Sequence, residues 1–182
     1  MKNIVYCCST HSCGKTTLLT ELNNYCESWG WKTVRNRTPR EVVPVDKIYD
    51  KVDNLHQFYI TFGIASEILS ADCDVVLTDR FIIDNLAYSS LSPHVGTSLM
   101  TIQQNFAKIF YSTFNIVTFY LPIEFPLEPD GIRPLDENYR AKIDHQIKKY
   151  LDTFVPKYYT LTGSRGERFK DAIEVLKKNF KS

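Results

Sequence analysis

The sequence has almost no excess of charge of either sign. Its 182 residues include 22 Lys and Arg and 21 Asp and Glu, so the formal net charge at pH 7 is +1. Proteins that hold duplex nucleic acid across a broad surface usually carry a basic face, and this balance argues against one. A small basic cleft for phosphate groups is still compatible with the composition.

The sequence also lacks a long apolar run and a regular cysteine framework. The first apolar run, residues 4–8, is too short for a membrane span or a signal peptide, so we expect no membrane association. The five cysteines have no paired zinc-ligand spacing, which predicts reduced thiols, a cytoplasmic location and no metal cluster. With no repeat and no Gly/Ser linker, we interpret residues 1–182 as one domain.

Short apolar runs alternate with segments of helical spacing. The runs predict strands at 4–8, 33–35, 74–78, 115–121 and 157–161. The helical segments are 16–26, 52–69, 82–90, 98–114, 137–154 and 168–180. This alternation predicts an α/β fold with a parallel sheet of about five strands and helices on both faces. Ligands of such sheets bind beyond the carboxyl ends of the strands.

A phosphate-binding pattern lies between the first strand and the first helix. The Walker A pattern requires Gly, four residues, and then Gly-Lys-Ser/Thr. Here only the first Gly is replaced, by Ser9, which can occupy that turn if its φ is negative. The nine residues of this loop are Ser9, Thr10, His11, Ser12, Cys13, Gly14, Lys15, Thr16 and Thr17. The pattern predicts a P-loop NTPase fold.

The residue types of the loop suit MgATP. Backbone N–H groups and the positive end of the following helix form an anion nest, and Gly14 allows phosphate oxygens to approach the backbone closely. Lys15 is placed for the β and γ phosphates and Thr16 for Mg²⁺. His11 either contacts phosphate or substrate or faces solvent, and we favour the solvent-facing position.

An acid and a base end the strand at 74–78. Asp79 is placed to hold Mg²⁺ or to take a proton from an attacking hydroxyl, and Arg80 to bind an anionic group or the transferred phosphoryl. The alternative is a surface ion pair. Farther along, Arg133 and Arg140 are candidates for a lid over the phosphates at about 123–140, with Arg133 as an arginine finger that spreads the transition-state charge. Solvated surface charges are the alternative. Arg165 is a candidate for stacking on adenine. A plain turn before the last helix would also explain the residues around Arg165.

Five further residues are candidates for binding the phosphoryl acceptor. Arg40 and Glu41 follow the second strand, and Glu41 is either a general base or part of a salt-bridged loop. Gln57 and Phe58 could hydrogen-bond to and stack on a nucleobase, although a core position is the stronger interpretation for Phe58. Asp84 either contacts a sugar hydroxyl or caps its own helix.

Several of these segments resemble the NadR-like, AAA-type P-loop kinases, many of them phage-encoded. The similar segments are the loop at 10–18, the Asp-Arg segment at 78–88, and the lid and lid helix at 130–133 and 139–144. Thymidylate-kinase-like and deoxynucleoside-kinase-like enzymes share the Asp-Arg element. Arg37 stands where the family has Glu, which leaves Asp79, Glu41 or substrate-assisted transfer as the source of the base.

The resemblance implies an ATP-dependent kinase whose acceptor is a small nucleoside, nucleotide or riboside. A homodimer is one assembly that we consider. One alternative is a kinase that acts on a hydroxymethylated base in phage DNA, which the near-neutral charge disfavours. Another is a nucleotide-binding switch or NTPase without an acceptor. If the chain is phage-encoded, we expect it in the host cytoplasm.

Overall fold

The computed structural model describes residues 2–36, 53–127 and 136–180, and strands alternate with helices along them. The strands are β1 (Asn3–Cys8), β2 (Thr33–Arg35), β3 (Val75–Asp79), β4 (Asn115–Tyr120) and β5 (Tyr158–Thr160). The helices are α1 (Lys15–Ser28), α2 (Asn54–Ser70), α3 (Ile82–Leu91), α4 (Thr97–Thr113), α5 (Glu137–Phe154) and α6 (Arg165–Asn179). Every element predicted from the sequence is found, with small differences at the ends.

The five strands form one parallel sheet in the order β2-β3-β1-β4-β5, which confirms the predicted α/β fold. The central strand β1 pairs with β3 on one side and β4 on the other. Cys7 is in register with Asp79, and Cys8 is in register with Tyr120. The carboxyl ends of three neighbouring strands therefore meet where β1 runs into the phosphate-binding loop.

Successive residues of β1 point to opposite faces of the sheet, and each face has its own core. Ile4 and Tyr6 pack with apolar residues of α2, α3, α4 and α5. Val5 and Cys7 pack on the other face with apolar residues of α1 and α6. Helices therefore cover both faces, as the continuous apolar strands predict. No helix in the described parts of the chain is both long and apolar enough to cross a membrane.

The last helix begins at Arg165, three residues earlier than its apolar spacing suggests. The Ser164 hydroxyl accepts a hydrogen bond from Glu167 N, and the Glu167 carboxylate accepts one from Ser164 N. This reciprocal capping box satisfies two backbone donors and starts the helix there. Arg165 therefore lies in the first helical turn and not in a loop.

Candidate active site

The phosphate-binding loop adopts the left-handed conformations that an anion nest needs. Ser12 has φ 55° and Gly14 has φ 83°, and Gly14 is the N-cap of α1. Alternation between right-handed and left-handed residues brings successive N–H groups to one side of the chain. Among the described residues other than glycine, only Ser12 and Arg80 have positive φ, so Ser9 has the negative φ that its replacement of glycine requires.

The ammonium group of Lys15 lies inside this loop. The residue is 5% exposed, and Nζ donates to Ser9 O at 3.1 Å, to Ser9 Oγ at 2.9 Å and to Thr10 O at 2.5 Å. All three partners are oxygens of the loop itself. The loop thus places one positive charge beside its backbone N–H groups, and a polyphosphate chain needs both.

Thr16 and Asp79 meet across the sheet edge. The Thr16 hydroxyl donates to Asp79 Oδ2 at 2.6 Å, while Asp79 Oδ1 is buried and has no hydrogen-bond partner in the described part of the chain. Asp79 is 5% exposed, and its Oδ2 also lies 4.0 Å from the guanidinium of Arg35, so a long ion pair accompanies the contact with Thr16. A hydroxyl beside a carboxylate with a spare oxygen is a donor set that fits Mg²⁺.

Asp84 lies behind the loop, where it is completely buried. Its carboxylate accepts hydrogen bonds from the hydroxyl of Tyr6, from Ser9 N at 3.1 Å and from Phe81 N at 3.2 Å. Burial raises the pKa of this carboxyl group above its usual range. The structure thus shows the helix-capping contact considered for Asp84, and it adds a contact to the loop that the sequence did not indicate.

Arg80 directly follows β3 and has a left-handed conformation, with φ 80°. Such a backbone conformation costs of order 1–3 kcal/mol in a residue with a side chain, and it is concentrated at functional sites. The guanidinium carbon lies 4.9 Å from the centroid of the Tyr88 ring on α3. The aromatic ring and the strained backbone together fix the direction in which this cation leaves the strand.

Two buried arginines donate hydrogen bonds to carbonyl oxygens of the loop. Arg140 is completely buried, and its guanidinium donates to Ser12 O at 3.1 Å and to Phe125 O at 3.0 Å. Arg168 is 2% exposed and donates to Cys13 O at 2.7 Å and to Glu124 Oε2 at 2.6 Å. Arg140 was among the predicted site residues, but Arg168 was not, because nothing in the local pattern of α6 distinguishes Arg168 from a surface arginine.

An apolar cleft of about 260 Å³ adjoins the loop. Its lining residues are Gly14, Thr17, Leu18, Glu21, Phe125, Arg165 and Arg168. Arg165 pairs across it with Glu21, with a distance of 2.7 Å from the guanidinium to Oε1. The cleft is somewhat smaller than pockets that hold drug-sized ligands, so its size suits a single planar base rather than a whole nucleotide.

The remaining predicted residues are placed as follows. His11 is only 4% exposed, so the solvent-facing position is wrong; the loop folds over the end of β1 and buries His11 together with Thr10. Phe58 is 45% exposed and packs on Phe62 at a centroid distance of 4.4 Å, so its expected core position is also wrong. The Phe58 side chain is therefore only partly covered by its neighbours. Gln57 is buried, and its Oε1 has no hydrogen-bond partner in the described segments.

Three predicted residues lie outside the described residues: Arg40, Glu41 and Arg133. The same is true of the central part of the predicted lid. The described part of that segment comprises residues 123–127 and 136–140, and Asp136 caps α5 by accepting a hydrogen bond from Tyr139 N at 2.9 Å.

The fold resembles several solved kinase structures at low sequence identity. NadR protein in complex with NR has a TM-score of 0.71 and 18% identity; the alignment covers 98% of this chain and 51% of NadR, so the chain spans about half the NadR length. Deoxyadenosine kinase from M. mycoides with bound dCTP has a TM-score of 0.68 and 12% identity, covering 98% of this chain and all of the kinase (100%). Thymidylate kinase from Ehrlichia chaffeensis has a TM-score of 0.67 and 16% identity, with coverages of 97% and 99%.

At these identities the likeness establishes the fold of nucleoside and nucleotide kinases. No protein of curated function matches the chain in sequence. A family model described as an AAA domain matches residues 8–168, from the end of β1 to Arg168 in α6. The chain therefore belongs to this AAA domain family.

Proposed function

We propose that the chain is a kinase that transfers the γ-phosphoryl group of ATP to a small nucleoside, nucleotide or riboside. The observation that carries this proposal is the meeting of Thr16 and Asp79 at 2.6 Å, beside the buried ammonium of Lys15. A phosphate cradle alone would suit any nucleotide-binding protein. A hydroxyl from the first turn of α1 and a carboxylate from the end of β3, next to a positively charged loop, are the parts that phosphoryl transfer requires.

The nucleotide would lie along the loop, with its phosphates on the N–H groups between Ser12 and Thr16. Its base would enter the apolar cleft, where Phe125 and Arg165 offer an aromatic ring and a guanidinium plane for stacking. Lys15 would exchange its three loop oxygens for phosphate oxygens. That exchange replaces neutral acceptors with charged ones, so the ammonium favours the bound state.

Mg²⁺ would be held by Thr16 and Asp79 together with the phosphates and water. Mg²⁺ commonly takes only one or two protein ligands in such sites, so a site of this kind needs no cluster of acidic residues. The ion would neutralise charge that develops on the phosphate oxygens. Among the described residues, Asp79 is alternatively the candidate for accepting the proton of the acceptor hydroxyl, with Mg²⁺ then held through water.

The acceptor would bind on the side of the sheet that α2 and α3 cover. The buried amide of Gln57 has an oxygen with no hydrogen-bond partner in the described segments, and a nucleobase donor would satisfy it. Arg80, which Tyr88 orients, would bind an anionic group of the acceptor or the transferred phosphoryl. The near-neutral charge supports a small acceptor over a polynucleotide.

The test is acceptor-stimulated consumption of ATP, measured with nucleosides, nucleoside monophosphates and nicotinamide riboside. Lys15→Ala should reduce turnover on the best acceptor at least roughly a hundredfold, as removal of one transition-state stabiliser does. Lys170→Ala, at an exposed lysine of α6, is the matched control and should retain full activity. Slow hydrolysis that no acceptor accelerates would instead identify a nucleotide-dependent switch, and full activity in Lys15→Ala would refute the mechanism.

A further inference from the structure

We infer that Arg140 and Arg168 are positioning residues that aim the phosphate-binding amides, and that neither acts as a phosphate ligand. This inference rests on the proposed nucleotide site and concerns how the nest keeps its shape. Both side chains are buried, and both donate to carbonyl oxygens of the loop.

The peptide group is planar. In a trans peptide the C=O and the following N–H point in opposite directions. The carbonyl of Ser12 shares its peptide with the N–H of Cys13, and the carbonyl of Cys13 shares its peptide with the N–H of Gly14. A donor that fixes either carbonyl from outside therefore turns the partner N–H toward the inside of the loop.

The two guanidinium groups make these contacts on consecutive peptides. Arg140 donates to Ser12 O at 3.1 Å and Arg168 donates to Cys13 O at 2.7 Å. Each bond is charge-assisted, so it holds its carbonyl more firmly than a neutral donor would. It also polarises the peptide, which makes the N–H on the opposite side a stronger donor to an anion.

Each arginine spans from the loop to the segment that follows β4. Arg140 also donates to Phe125 O at 3.0 Å, and Arg168 also donates to Glu124 Oε2 at 2.6 Å and lies 4.6 Å from the Phe125 ring centroid. Glu124 in turn accepts a hydrogen bond from Gly163 N at 2.8 Å. The planar, forked guanidinium can satisfy two acceptors in fixed directions at once, whereas an ammonium cannot reproduce that span.

The two arginine contacts are needed because the loop backbone is strained. Ser12 has φ 55°, a conformation that costs a residue with a side chain of order 1–3 kcal/mol. A Cβ on Gly14 would lie 3.7 Å from Phe125 and 3.9 Å from Arg168, so both side chains pack directly against the loop. Without the two anchors, the peptides on either side of Cys13 would be free to rotate toward relaxed conformations.

Substitution by lysine separates positioning from direct charge. If these cations bound phosphate, Arg140→Lys would keep most of the affinity because the charge remains. If they hold peptides, Arg140→Lys should lose affinity nearly as much as Arg140→Met does. We expect at least a roughly tenfold loss for tripolyphosphate in both variants, since small displacements of aligned groups have large effects.

The experiment measures binding of magnesium tripolyphosphate by calorimetry and binding of adenosine by NMR. In both Arg140 variants tripolyphosphate affinity should fall while adenosine affinity is retained, because Arg140 hydrogen-bonds to Phe125 only at its backbone carbonyl and does not itself line the base cleft. Lys142→Met, at an exposed lysine of the same helix, should bind both ligands as the unmodified protein does. Arg168→Lys repeats the tripolyphosphate measurement on the neighbouring peptide, in case the Arg140 variants do not fold.

The outcomes distinguish this inference from the proposed function. Unmodified protein that binds no tripolyphosphate overturns both. Unmodified protein that binds it, with Arg140→Lys and Arg168→Lys binding equally well, overturns the positioning role alone. Equal losses of tripolyphosphate and adenosine affinity would show general structural damage and would also overturn it.

Discussion

The buried hydroxyl of Tyr6 allows a demanding test of the network behind the phosphate-binding loop. Tyr6 donates to the Asp84 carboxylate and accepts a hydrogen bond from Asp84 N at 3.1 Å. Tyr6→Phe removes the bond to the carboxylate, which is worth about 1.5–3 kcal/mol because one partner is ionisable. It also leaves a buried N–H unpaired, at a cost of about 1–3 kcal/mol. Because both terms belong to one hydroxyl they do not add fully, and we expect the free energy of unfolding to fall by about 3 kcal/mol.

The assay is urea unfolding followed by circular dichroism, together with a thermal melt. For a chain of this size a loss of about 3 kcal/mol corresponds to a drop in Tm of roughly 6–12 °C. Tyr111→Phe is the matched control, since its hydroxyl lies 3.2 Å from Thr118 Oγ1 and makes only a neutral contact. That variant should lose about 1 kcal/mol. If Tyr6→Phe is no more destabilised than Tyr111→Phe, the buried network does not stabilise the loop as argued here.

Three further predictions follow from single contacts. Burial raises the pKa of Asp84 above its unfolded value of 3.8, so the native state binds this proton more tightly than the unfolded chain does. The free energy of unfolding therefore falls as pH rises above 3.8, and Asp84→Asn should show less of this fall in unfolding curves measured across pH. Asp79→Asn should lower turnover roughly a hundredfold and raise the Mg²⁺ concentration needed for half-maximal rate, whereas unchanged Mg²⁺ dependence would exclude Asp79 as a metal ligand. Ser164→Ala removes the capping box with Glu167 and should lower Tm by roughly 2–4 °C, with no change in Tm arguing against the cap.

The order of strands and helices was predictable because its signals are local. Each buried strand is a continuous apolar run, and each helix repeats apolar residues with a period near 3.6. The loop before α1 was predictable for the same reason, since its function depends on backbone N–H groups and on Lys15 and Thr16, which are adjacent in sequence. The start of α6 was misplaced because a capping box set it, whereas the prediction followed the apolar spacing.

Contacts between distant segments could not be read in this way. Arg168 holds the carbonyl of Cys13 across 155 positions of sequence, and Tyr6 reaches Asp84 across 78. Such pairs depend on where whole elements pack, and a single sequence carries no signal for that. His11 shows the same limit: a loop position suggests exposure, but this loop closes over the end of a buried strand.

The central position of β1 has a consequence for how the chain acquires its function during synthesis. Among the five strands, β1, which leads into the phosphate-binding loop, comes first in the sequence. Its neighbours in the sheet are β3 and β4, which end only at residues 79 and 120. The arginines that hold the loop are translated later still. β1 and its loop are therefore translated before the strands and arginines that complete them, and such long-range strand pairing is slow to form. Under the proposed function, nucleotide can stabilise this fold only once α6 has left the ribosome.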